Sequence, residues 1–243
     1  MSNYLLFATK NGLVKKTEIT EYANIRASGL IALKMDQGDS LLGVKQTSGE
    51  DEVILVSGNG KSIRFTEKDI RPTGRATRGV RGIRLGKHDT VVGMDLVGQS
   101  DSETVGQQEN KKAVRLSNCQ TELLIVTQNG YGKMTPVKEY SQQGRGGKGV
   151  FTAKVTKKTG KVVEMKLVSM GQSDSETVGQ QENKKAVRLS GCQADLLLIS
   201  SKGQVIRLPL ASVPTLGRQT QGVHLINLSQ GDTVAALTLL ENE

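Results

Sequence analysis

Short apolar runs closed by a turn glycine occur four times along this chain. Residues 4–9 lead into Gly12, 52–57 into Gly60, 122–127 into Gly130 and 195–200 into Gly203. Each run is rich in Leu, Ile and Val, too short for a buried helix, and bounded by residues that turns favour, so each predicts a β-strand. A second strand is expected beyond each glycine, with a cation three or four positions on: Lys15 and Lys16, Arg64, Lys133, Arg207. Third strands are expected at 30–33, 80–85, 150–155 and 223–228. Fourth strands follow polar turns such as Gly38-Asp39-Ser40 and Gly231-Asp232-Thr233. The apolar and polar positions alternate, which predicts strands that bury one face and wet the other.

The turn glycines are spaced by 48, 70 and 73 residues. The two longer intervals contain a second repetition: 98–120 and 171–193 differ only at Asn118 against Gly191. Removing these inserts, about 22 residues each, returns every interval to near 48, the length of a four-stranded propeller blade. One such unit cannot bury its own apolar face, so the units must stack. The expected fold is a single all-β domain over 1–243, a propeller-like disc of four-stranded blades. The blades lie at 3–51, 52–97, 121–170 and 194–240. Each insert is polar, with three acids and three bases. That composition predicts a surface loop or extended linker, with 111–117 and 184–190 available for an edge strand or a helical turn. Near-identity of the inserts beside divergent blades points to a recent duplication or an engineered cassette, the alternative being a functional arm selected twice.

Charge changes the picture through its distribution. The net charge is +9, yet residues 1–51 carry six cations and six anions. Residues 61–87 hold nine cations against Glu67 and Asp69, and 133–166 hold nine against Glu139 and Glu164, a local excess of +7 in each. A basic band on the middle of the chain points to a polyanionic partner. No apolar run approaches the roughly 20 residues needed to span a bilayer, and no signal-like stretch opens the chain. A cytoplasmic protein without a membrane partner is expected, with Cys119 and Cys192 as free thiols.

Motifs for catalysis fail on context. Gly58-Asn59-Gly60-Lys61-Ser62 ends like a phosphate loop, but Leu55 stands where its first glycine belongs, and a strand follows in place of a helix. Gly144-Arg145-Gly146-Gly147-Lys148-Gly149 matches GxGxxG literally, yet the β-branched Val150 to Val155 stretch again reads as a strand. His88 and His224 have no neighbouring metal-ligand set, and no cofactor is expected. The recurrent signal is Gly-Arg-x-x-x-Gly, ending nineteen residues after the turn glycine in units two, three and four: 74–79, 144–149 and 217–222. Glycines allow close backbone approach, and arginine presents a planar fork matched to phosphate. Arg71, Arg75, Arg78, Arg81 and Arg84 recur every three or four residues, Arg145 and Lys148 sit among glycines, and Arg218 follows in the last unit. With no Trp and seven aromatics, duplex fits better than stacked single strands. Contacts to the phosphate backbone give salt-dependent, sequence-tolerant binding.

At this point the chain resembles one family, the C-terminal DNA-wrapping domain of the bacterial DNA gyrase A protein. The resemblance rests on Gln128-Asn129-Gly130-Tyr131-Gly132-Lys133-Met134-Thr135-Pro136, on Glu139-Tyr140, and on Arg78-Gly79-Val80-Arg81-Gly82-Ile83-Arg84-Leu85. It implies a β-pinwheel whose blades exchange a hairpin with a neighbour and whose rim binds and bends duplex DNA. It also implies a box, Gln-(Arg/Lys)-Arg-Gly-Gly-(Arg/Lys)-Gly, which Gln143, Arg145, Gly146, Gly147, Lys148 and Gly149 match and Gly144 does not. The family carries its main box in the first of six blades, so this chain reads like the last four. The implied role is non-catalytic: DNA is guided for supercoiling by an ATP-dependent type IIA topoisomerase. The implied partners are the rest of the gyrase A protein and the gyrase B protein. The breakage tyrosine of that family follows an arginine, whereas the tyrosines here follow Asn3, Glu21, Gly130 and Glu139. The alternatives are the similar domain of topoisomerase IV, with weaker wrapping, and a propeller used as a protein-interaction platform. On charge, blades two and three are expected to carry most of the DNA contact.

Overall fold

The computed structural model describes residues 3–25, 27–97, 120–170 and 194–241. Nearly all of both inserts, Cys119, Cys192 and Arg26 fall outside these, and so do the expected strand or helical turn at 111–117 and 184–190.

Among the described residues, fifteen strands build four antiparallel sheets. The first repeat gives β1 (Tyr4–Thr9), β2 (Leu13–Glu18) and β3 (Leu41–Thr47); the second gives β4 (Glu52–Ser57), β5 (Lys61–Thr66), β6 (Val80–Arg81) and β7 (Val91–Val97). The third gives β8 (Gln120–Thr127), β9 (Tyr131–Pro136), β10 (Val150–Phe151) and β11 (Val162–Met170), and the fourth β12 (Ala194–Ser200), β13 (Val205–Pro209), β14 (Val223–His224) and β15 (Val234–Glu241). The sheet orders are β3-β1-β2-β6, β10-β5-β4-β7, β11-β8-β9-β14 and β13-β12-β15. Three sheets are therefore completed by a two-residue strand from the following repeat, the hairpin exchange that the resemblance implied. The third-strand segments are shorter than the sequence predicts, and they join the neighbour's sheet. Residues 30–33 form no strand, and the fourth sheet has three strands among the described residues.

The exchange has a steric basis. In the donated segments Gly79, Gly149 and Gly222 lie against the accepting strand. A Cβ on Gly79 would meet Val14 O at 2.8 Å, one on Gly222 would meet Gly132 O at 2.6 Å, and one on Gly149 would overlap Ser62 O. On the accepting side, Gly12, Gly60 and Gly130 adopt φ of +81°, +76° and +80°. Their carbonyls then receive N–H groups from the donor: Gly82 and Ile83, Thr152 and Ala153, and Leu225. Asp39 and Asp89 brace the first two of these turns, their carboxylates accepting the Asn11 and Asn59 amides; Asp232 braces the Gly203 turn of the fourth repeat in the same way through the Lys202 amide.

Burial corrects the expectation of half-wet strands. Val53, Ile54, Leu55 and Val56 are all fully buried, as are Leu123 to Val126 to within 2%. Val53 and Leu55 pack with Leu6, Val14 and Ile83, while Ile54 and Val56 face Leu123, Ile125 and Met165. An interior blade has a neighbour on each face, so both faces bury and the run reads as continuously apolar. The fourth blade differs: β12 alternates, with Leu196, Leu198 and Ser200 buried and Leu197 and Ile199 half-buried. The strands β3, β7, β11 and β15 touch in series, and β15 makes no comparable contact with β3 among the described residues. The blades form an open arc.

Candidate nucleic-acid interface

Because β3, β7, β11 and β15 occupy one edge of every sheet, the donated strands β6, β10 and β14 mark the opposite, outer edge. Each basic loop immediately precedes a donated strand, so 74–79, 144–149 and 217–222 lie on the outer rims of the first three sheets. Each is also tied to the donor segment of the repeat before it. Lys34 N–H donates to Thr77 O at 3.1 Å, Arg84 N–H to Gly147 O at 2.8 Å, and Lys154 N–H to Thr220 O at 3.0 Å. Gly146 N–H adds a bond to Gly82 O at 2.6 Å. The loops therefore follow one another around the rim as a connected band.

Two buried lysines anchor this band. Lys15 Nζ donates to Ala32 O at 2.7 Å and to Arg75 O. Lys133 Nζ donates to Gly217 O and Arg218 O at 2.6 Å and to Thr220 Oγ1 at 3.0 Å. A buried ammonium needs such acceptors, and it fixes the loop backbone in return. Burial pushes the Lys133 ammonium down to about 8, with the Glu139 carboxylate opposing and the Arg218 guanidinium assisting; burial likewise lowers Lys15. In the second blade Ile63 takes the corresponding position. There loop 144–149 is held through the Arg145 side chain, with Nε donating to Asp69 O at 2.9 Å and Nη1 to Arg81 O at 3.1 Å.

The predicted arginines thus divide by what already holds them. Arg78 pairs with Asp36 at 2.5 Å, Arg75 lies 3.9 Å from Glu21, and Arg218 stacks over the Tyr140 ring at 6.0 Å. Arg71, Arg81, Arg84 and Lys148 are exposed, and their side chains have no hydrogen-bond or ion-pair partner among the described residues. Gln143 is half-buried and donates its backbone N–H to Arg64 O at 2.8 Å. Gly146 and Gly149 adopt φ of +77° and +67°; Gly149 is required by its contact with Ser62, and Gly147 lies 3.5 Å from Ile63 measured from a built Cβ.

Sequence reasoning named Arg84 but missed the stripe to which it belongs. Lys34, Arg84 and Lys154 stand five residues after the loop-closing glycine in repeats one to three, all exposed, and Asn227 takes that place in repeat four. Aligning the repeats on Gly29, Gly79, Gly149 and Gly222 would have found it. The stripe carries cations onto the first blade, whose net charge is zero. Of the aromatics expected in the core from their strand pattern, Phe7 is buried and Tyr4 half-buried; Tyr140, outside any strand, is buried too, whereas Phe151 is half exposed on β10 under the Lys61 ammonium.

Comparison with known proteins identifies the family. A family model described as DNA gyrase C-terminal domain, beta-propeller, matches residues 3–48, 51–97, 121–169 and 194–241, one match for each repeat. The chain belongs to this family. Among curated relatives, the DNA gyrase A protein of Deinococcus deserti is 40% identical over 240 residues, covering 98% of this chain and 25% of its own. Its counterpart in Mycolicibacterium smegmatis is 37% identical, over 96% of this chain and 23% of its own. The gyrase-family chain thus spans about a quarter of the length of these relatives. In fold it resembles a DNA topoisomerase IV C-terminal domain (TM-score 0.76, 21% identity, 99% of this chain and 62% of that one). It also resembles a DNA gyrase A C-terminal domain (TM-score 0.73, 24% identity, 98% and 66%). Among the described residues, no group of three or more His, Cys, Asp or Glu could hold a metal ion, and no helix is long and apolar enough to cross a membrane.

Proposed function

We propose that this chain binds duplex DNA along the outer rim of its blades and bends it. In this reading it is the non-catalytic C-terminal part of a gyrase A protein that guides DNA for a type IIA topoisomerase. The observation that carries the proposal is the connected band of loops, with Arg71, Arg81, Arg84 and Lys148 left open toward solvent. A continuous basic track that curves with the arc makes many phosphate contacts at once. That is what offsets bending, which costs about 1–6 kcal/mol for a 20–30 bp site. Arg75, Arg78 and Arg218 join the track by exchanging their present partners for phosphates. Arg145, Gln143, Gly146, Gly147 and Gly149 shape the loop that presents Lys148. The full assembly would include the remainder of the gyrase A protein and the gyrase B protein, acting on the nucleoid in the bacterial cytoplasm. Within it the described residues would act as one pinwheel domain without a cofactor.

A gel-shift titration with a duplex of random sequence at two salt concentrations tests this. Affinity that falls steeply with salt is expected; no binding, or binding indifferent to salt, refutes it. Bending is tested separately by closing nicked plasmid in the presence of the protein, where a changed linking number is expected. The topoisomerase IV alternative rests on likeness of fold alone, whereas the relatives by sequence are gyrase proteins.

A further inference from the structure

The outer rims of the first three sheets end in the same combination of groups. We propose that on the second of them Phe151 packs on the deoxyribose of a duplex strand while Lys61 and Lys148 take the flanking phosphates. Each donated strand makes two pairs with its acceptor. The first sets Val80, Val150 and Val223 against Val14, Ser62 and Gly132, which are buried. In the second, the exposed Arg81, Phe151 and His224 stand opposite Leu13, Lys61 and Tyr131. Sheets one and two thus join a cation to an apolar side chain at this outer pair. The third gains its cation from Lys158, whose Nζ lies 5.6 Å from the Tyr131 ring centroid. Cation and apolar group change places between donor and acceptor from the first sheet to the second, so the combination recurs where the residues do not.

The second sheet shows the pair most openly. Phe151 is 51% exposed, the Lys61 ammonium stands 5.3 Å from its ring centroid, and Lys148 lies three residues back on the loop that leads into β10. Neither lysine has a carboxylate partner among the described residues. A ring left half in water beside two ammonium groups matches a ligand whose surface alternates between apolar and anionic. A sugar–phosphate strand does so at every nucleotide, whereas inorganic polyphosphate offers the charge without the sugar. Insertion between bases fits the rim less well, because a wedge driven in from the minor groove kinks duplex toward the major groove, away from the protein. Bending onto the rim calls for backbone contact. To that contact Phe151 adds an apolar share that salt does not screen.

The inference rests on the duplex-binding reading above, and Phe151→Ala separates the two. Log affinity for a duplex of random sequence is measured against log salt, with inorganic polyphosphate as a second ligand. Phe151→Ala should lower duplex affinity about fivefold at every salt concentration, the worth of covering the exposed half of a phenylalanine, with the slope unchanged. Lys61→Gln should instead lower the slope by about 1. Phe151→Leu should restore most of the loss, and polyphosphate should bind Phe151→Ala as tightly as wild type. Because the ring is half exposed, both Phe151 variants should keep the wild-type melting temperature. A wild-type chain that does not bind duplex overturns the proposed function and this inference together. Wild-type binding with no loss in Phe151→Ala overturns the sugar contact alone. So does a changed slope, or an equal loss for polyphosphate, since either would make the ring a support for Lys61 or its loop.

Discussion

Lys133 shows how one side chain can link the interior to the rim. Its folded pKa is held near 8 by burial, against 10.5 for a free lysine. Between those values an unfolded chain carries the proton and the folded chain does not, so this group's contribution to stability rises from about pH 8 to about 10.5. Below pH 8 the cost of burying the ammonium is present in full. The loop responds in the opposite direction. A neutral amine has two N–H donors for the three acceptors at 217, 218 and 220, so that backbone loosens while the sheets gain. Side-chain NMR should place the Lys133 midpoint near 8, and duplex affinity should fall above that pH without global unfolding. A midpoint in the ordinary lysine range would contradict this account. Gly149 makes the contrasting case, since Gly149→Ala must displace Ser62 O and hold φ at +67°. A loss of at least about 2 kcal/mol is expected, read as a lower denaturant midpoint.

At the scale of the loop, cations that look alike in sequence separate by their partners. Lys148→Gln or Arg71→Gln removes a charge that nothing in the described fold uses. Each should leave stability unchanged and lower the slope of log affinity against log salt by about 1. Arg145→Gln also breaks the bonds to Asp69 O and Arg81 O, so it should lower both affinity and stability, by about 1–3 kcal/mol in the latter. Equal melting curves for Arg145→Gln and Lys148→Gln would refute the distinction. The sequence made the strands, the turn glycines and the charged loops legible, because apolar runs, φ-demanding glycines and charge are local properties. It could not show that Gly149 is required by Ser62, or that Lys15 and Lys133 are buried, since those facts depend on which repeat a segment joins. The stripe Lys34, Arg84 and Lys154 was legible in principle, but only from an alignment of the repeats to one another.

The whole molecule is an arc whose interior blades are covered on both faces and whose last blade is not. That asymmetry predicts graded protection. Amides of β4 and β8, within doubly buried blades, should exchange at rates near those of global unfolding, while those of β13 exchange sooner. Hydrogen exchange followed by mass spectrometry would read this, and uniform protection across the four blades would contradict it. The strand exchange has one more consequence, for the order in which the chain is made. A sheet that borrows its outer strand from the next repeat cannot be finished when its own residues leave the ribosome; the first must wait from Thr47 to Arg81, the second from Val97 to Phe151 and the third from Met170 to His224. Synthesis would therefore always trail one unfinished edge behind the growing end, passed forward from blade to blade. A chain stopped after Met170 would hold two completed sheets and a third still open beside β9, not three intact blades.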